Sequence, residues 1–171
     1  WNTAMTCGGS SGGSAVAMAT GQAWLATGSD LGCSLRTPAA FCSVVGFRPS
    51  PGRVANGPGE QRFNDLSVEG PMARNVLDAA LFLDAMSGWR VEDPISLPKP
   101  PEPFLAAAQR KRKPKRVALA IDLGGATPVD QPTRAIVRQA ADKLANAGVE
   151  IVEASPDFSG VMECFHVLRG L

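Results

Sequence analysis

The chain has 171 residues, of which 44% are hydrophobic and 19% charged, with a formal net charge of +1. This length and composition suit a single globular core, and the near-neutral charge gives no electrostatic basis for binding nucleic acid or an acidic membrane. The longest apolar stretch, residues 76–86, is broken by Asp78 and Asp84 and falls well short of the roughly 20 residues a spanning helix needs.

The first residue is Trp1 rather than Met, so the numbering is expected to begin inside a longer chain, with no signal peptide in view. Cys7, Cys33, Cys42 and Cys164 show no CxxC spacing, and His166 is the only histidine. That set does not make a zinc site. No metal and no cofactor are predicted, and reduced thiols in a cytoplasmic protein are the expectation.

Residues 7–14 read CGGSSGGS, a composition normally found in flexible linkers, yet they run directly into the compact apolar stretch 15–28. Residues 14–22 suit a short helix and 23–28 a buried strand. From Asp30 to Ala40 the chain is expected to turn, because Pro38 restricts what precedes it. Residues 41–49 read as apolar and partly extended, and 49–65 as a polar loop rich in Pro and Gly.

The clearest helix begins after Asn75, an N-cap residue with Asp78 at the third helical position. Val76, Ala79, Ala80, Leu83 and Met86 line one face and Leu77, Leu81 and Phe82 a second, so burial on more than one side is predicted, with a stop at Gly88. Residues 92–104 form a proline-rich connector. The basic run QRKRKPKR (109–116) has no interleaved aromatic residue and reads as a solvated face rather than a nucleic-acid patch. VALAID (117–122) is a strand. A helix follows, with Asp130 as N-cap, Pro132 in its first turn and Gly148 as stop, and then strand VEIVEA (149–154). These lengths predict a right-handed βαβ unit with parallel strands, and the class is α/β.

Chemistry concentrates in residues 28–40, GSDLGCSLRTPAA. Ser34 lies in a turn of small residues, where backbone N–H groups can converge on an oxyanion. A structural turn with a capping serine satisfies the same pattern. His166, in CFHVLRG, is the only histidine that could serve as a base, but its spacing beside Phe165 and Leu168 suits a residue at the edge of a core.

Taken together, CGGSSGGSAVAMATG and LATGSDLGCSLRTPAAFCSVVGFRPSPGRV resemble the amidase signature family of serine hydrolases. The resemblance continues through LSVEGPMARNVLDAALFLDAMSG and, more weakly, to the end of the chain. It implies the amidase-signature fold, a mixed β-sheet core covered by helices, with a C-terminal βαβ unit. The chain then divides into a signature core (1–50), a loop and buried helix (51–91), a connector (92–116), and the βαβ unit with the start of a further helix (117–171).

The resemblance also implies the roles. Ser34 would be the nucleophile and Ser10, after a cis Gly9–Ser10 peptide, the proton relay to a lysine; by chemistry alone Ser11 rivals Ser10. The backbone N–H groups of Leu31, Gly32, Cys33 and Ser34 would form the oxyanion hole. Gly9, Ser11, Ser29, Asp30 and Arg36 would support the loop, although an Asp/Arg surface pair is equally consistent with the last two. The substrate would be a small amide, and the partners would be further copies of the chain or other segments of the same protein.

Three positions depart from the family pattern: Cys33 stands for glycine, Cys7 for proline and Ser43 for glycine. A thiol nucleophile at Cys33 is a further alternative. The triad lysine should precede the glycine-rich tract, but no lysine precedes Lys99. The chain alone is therefore expected to be inactive, and self-association through Val76, Leu83 and Met86 is expected. An amidotransferase component acting on charged tRNA and a non-catalytic remnant are the competing readings. LSVEGPM favours the free-standing amidase, because the amidotransferase pattern runs closer to SSLDQIGPM.

Overall fold

The structure, a computed structural model, describes residues 2–57, 63–110 and 112–170. Residues 58–62 of the polar loop and Lys111 of the basic run lie outside the described residues. The chain forms two compact units, Trp1–Lys111 and Arg112–Leu171, and the boundary falls within the basic run.

The first unit contains α1 (Gly12–Ala19), β1 (Leu25–Asp30), α2 (Arg36–Cys42), β2 (Val45–Gly46), β3 (Val68–Ala73), α3 (Val76–Met86) and α4 (Phe104–Gln109). Its sheet has the order β1-β3-β2, all antiparallel. In the central strand β3 every residue but Glu69 is buried. Ala15 and Met18 of α1, Leu35, Ala39 and Cys42 around α2, and Met72 of β3 form one apolar cluster.

Gly28 and Gly70 face each other across β1 and β3, and the absence of side chains there has a packing purpose. A Cβ on Gly28 would lie 2.8 Å from Leu35 Cδ2, and one on Gly70 would lie 2.7 Å from Leu35 Cδ1. Leu35, fully buried, therefore seats on a bare patch of sheet that only glycine leaves open.

Two expectations for this unit change. Residues 30–40 are not a continuous turn, because α2 begins at Arg36. Pro38 falls in its first turn, where a missing N–H leaves no helical hydrogen bond unmade. The helix α3 starts as predicted, with the Asn75 side chain accepting from the Asp78 N–H at 2.9 Å. Only Ala79 and Leu83 are buried, however, while Val76, Leu77 and Leu81 are 62%, 46% and 51% exposed. The helix packs mainly against β3 and α4, with smaller contacts to β1 and β2. The uncovered patch is thus Val76, Leu77 and Leu81, not Val76, Leu83 and Met86.

The sequence reading also missed α4. Its first turn is capped by Asp84 of α3, whose two carboxylate oxygens accept from the N–H groups of Phe104 (2.7 Å) and Leu105 (3.0 Å). Asp84→Ala is expected to lower stability by about 1 kcal/mol, read as a shift in urea midpoint. An unchanged midpoint would show that α4 does not depend on this cap.

The second unit contains β4 (Arg116–Leu119), α5 (Gln131–Asn146), β5 (Glu150–Glu153) and α6 (Val161–Arg169). The two strands pair in parallel, with Arg116 opposite Glu150. Asp130 caps α5 by accepting from the Thr133 N–H at 2.8 Å, and Pro132 sits in the first turn. Gly148 follows the helix with φ +81°, a left-handed conformation that glycine adopts without cost. His166 lies on the surface of α6 rather than at a core edge, its ring 5.9 Å from that of Phe165. No helix among the described residues is long and apolar enough to cross a membrane.

Candidate active site

The glycine-rich tract is an ordered loop that ends in α1, with a cis peptide between Gly9 and Ser10. It is tied down by Ser11. The Ser11 N–H donates to the Ser34 carbonyl at 3.3 Å. Its hydroxyl donates to the Ser29 carbonyl at 3.3 Å and accepts from the Ser29 N–H at 3.2 Å. Bare Gly28 makes this approach possible, since a Cβ there would stand 2.6 Å from Ser11 Oγ. The tract, the end of β1 and the Ser34 turn are thereby joined at one residue.

Ser34 lies between β1 and α2 and is half-buried, while Ser10 is exposed. No hydrogen bond joins the two hydroxyls, and among the described residues neither is held by another group. Cys33, immediately before Ser34, has φ +88°. This left-handed region is unfavourable for a residue with a Cβ, which accounts for the glycine expected at that position.

Asp30 organises the turn. Its carboxylate is fully buried and accepts from the Cys33 N–H (2.8 Å), the Leu35 N–H (3.2 Å), and the Nε (2.9 Å) and Nη2 (2.9 Å) of Arg36. The last two form a bidentate pair, the stronger geometry for a guanidinium on a carboxylate. A second guanidinium adds to it. Arg48 Nε stands 3.6 Å from Asp30 Oδ1 and donates to the Asp30 carbonyl at 3.3 Å, while its Nη2 donates to the Leu66 carbonyl at 3.0 Å. Sequence reasoning missed Arg48. A lone cation within the apolar segment 41–49 was the available signal, because a buried-side cation needs a buried anion.

Burial raises the Asp30 carboxyl. The hydrogen bonds from Arg36, Cys33 and Leu35, with the Arg36 charge, outweigh burial and lower it to about 2. The same pairing raises Arg36. A carboxyl lowered on folding adds stability above its unfolded value, near 3.8, and loses it as pH falls towards 2. Loss on the order of 2 kcal/mol is expected across that window, measured as urea midpoints at successive pH values. A flat profile in the unsubstituted protein, or the same loss in Asp30→Asn, would contradict the assignment.

The backbone N–H groups of Leu31, Gly32 and Ser34 have no acceptor among the described residues. Cys33 differs: its N–H is engaged by Asp30. No group of three or more His, Cys, Asp or Glu able to hold a metal occurs among the described residues, and all four cysteines are free thiols.

The Amidase family profile matches residues 1–165. A Synechocystis protein named as an amidase is 39% identical over 165 residues, covering 96% of this chain and 32% of that protein. A glutamyl-tRNA(Gln) amidotransferase subunit from Rubrobacter xylanophilus is 38% identical over 160 residues, covering 94% of this chain and 33% of the relative. The solved structure of 6-aminohexanoate cyclic dimer hydrolase with its substrate superposes with a TM-score of 0.81 at 33% identity, covering 91% of this chain and 33% of the hydrolase. The chain thus spans about a third of the length of these relatives. With an ordered glycine-serine tract stitched to the Ser34 turn and a family match over nearly its whole length, the chain belongs to the amidase signature family.

Proposed function

We propose that this chain is part of an amide hydrolase in which Ser34 is the nucleophile and Ser10 its proton relay. The Ser11 stitch carries the reading, because it brings the tract that bears Ser10 against the turn that bears Ser34. Ser11 itself is committed to both backbone groups of Ser29, which leaves Ser10 as the freer hydroxyl.

In this mechanism the Ser34 hydroxyl attacks the amide carbonyl. Its proton passes through the Ser10 hydroxyl to a lysine base and then to the departing amine. The N–H groups of Leu31, Gly32 and Ser34 hold the oxyanion, and water then hydrolyses the Ser34 ester. Asp30, Arg36 and Arg48 hold the turn in shape. No residue before Lys99 is a lysine; in this reading residues 1–98 do not supply the base, and the isolated chain is proposed to be silent towards amides.

The test joins these residues to an upstream, lysine-bearing segment and follows release of ammonia or amine from simple amides. Turnover that disappears in Ser34→Ala supports the reading. Turnover that survives in Ser34→Ala but not in Cys33→Ala would assign the thiol instead. A second reading, an amidotransferase component, is favoured by the 38% identity to the Rubrobacter xylanophilus protein. It predicts that activity requires a co-purifying partner and charged tRNA.

A further inference from the structure

Cys7 and Cys42 line the wall of one cavity of about 540 Å³, whose other walls include Met5, Val16, Ala19 and Phe41. Cys42 Sγ stands 4.0 Å from the Cys7 carbonyl oxygen. The Cys7 sulfur now points to the start of α1, 3.4 Å from the Gly8 carbonyl and against bare Gly12, where a Cβ would meet it at 2.8 Å. Because both residues line the same cavity, the movement a bridge requires is a turn of the Cys7 side chain towards Cys42. The cavity volume far exceeds the roughly 30 Å³ of a water molecule, so a small oxidant also fits.

We propose that Cys7 and Cys42 form a dithiol site that a small hydroperoxide converts to a disulfide. This inference is independent of the amide-hydrolase reading. Cys7, the more exposed of the two, reacts first. Its sulfur attacks a peroxide oxygen, the O–O bond breaks, and Cys7 becomes a sulfenic acid as the alcohol leaves. The Cys42 sulfur then attacks the Cys7 sulfur, the S–O bond breaks and water departs. Two thiols are oxidised by two electrons and one peroxide is reduced by two. Burial and the neighbouring Cys7 push the Cys42 thiol up, consistent with Cys42 being the second to react. The bridge would join the residue that opens the glycine-serine tract to the last turn of α2, within reach once both Cβ atoms approach to about 4 Å.

The folded protein is treated with tert-butyl hydroperoxide, alkylated with N-ethylmaleimide and digested with chymotrypsin. Cleavage at Trp24, Leu31 and Phe41 separates Cys7, Cys33 and Cys42. The expected result is loss of two of the four thiols, a linked Cys7–Cys42 peptide, and Cys33 and Cys164 still alkylated. In Cys42→Ser, Cys7 is expected to stop at a sulfenic acid that dimedone traps. Links distributed among other pairs, or the same pairing in the urea-unfolded chain, would overturn the proposal. So would a Cys7 that passes to sulfinic acid while Cys42 stays a thiol.

Discussion

Ser34→Ala is expected to abolish amide turnover in a protein that carries these residues together with the lysine base. A loss of about 10⁶-fold in kcat is the scale seen when a serine hydrolase loses its nucleophile. Ser10→Ala should cost less, about 10²–10⁴-fold, because it cuts the proton path and leaves the attacking atom and the oxyanion donors in place. Activated esters, whose leaving groups need little protonation, should suffer least in the Ser10 variant. Comparing amide and ester turnover in the two variants checks the assignment, since a purely structural role for Ser10 would depress both substrates equally.

Asp30→Ala is expected to cost about 3 kcal/mol. It deprives the Cys33 and Leu35 N–H groups of their acceptor and leaves Arg36 and Arg48 without a counter-charge. Arg36 is half exposed and recovers part of its loss from water, whereas the Arg48 side chain is only 25% exposed. Urea denaturation at pH 7 measures the difference. A change below about 0.5 kcal/mol, the usual range for surface substitutions, would show that the turn holds its shape without the carboxylate.

What the sequence revealed about the fold follows from where the determinants are local. The helices α3 and α5 start at side-chain caps, Asn75 and Asp130, that act within three residues, so their starts could be read directly. The parallel pairing of β4 and β5 followed from strand and helix lengths. The helix α2 was obscured by Pro38, since a proline in a first turn and a proline that ends a helix look alike in sequence. The helix α4 was obscured because its cap, Asp84, comes from α3, 20 residues earlier.

The site divides along the same line. Composition alone makes the 7–14 tract a linker; only its joint occurrence with the 28–40 segment carries the resemblance to the amidase signature family. The stitch through Ser11 spans 18 residues to Ser29, and the Arg48 contact to the Asp30 carbonyl spans 18 as well, so neither leaves a local pattern. The engagement of the Cys33 N–H is different. It spans three residues and repeats the geometry of an aspartate accepting from a backbone N–H in a turn, so it could have been anticipated from Asp30.

Mapping the attachment site of a fluorophosphonate probe tests the assignment of Ser34 most directly. With the lysine base supplied, the adduct is expected on Ser34, within the chymotryptic peptide 32–35, absent in Ser34→Ala and slowed in Ser10→Ala. Attachment to Ser10 or Ser11, or undiminished labelling of Ser34→Ala, would contradict it.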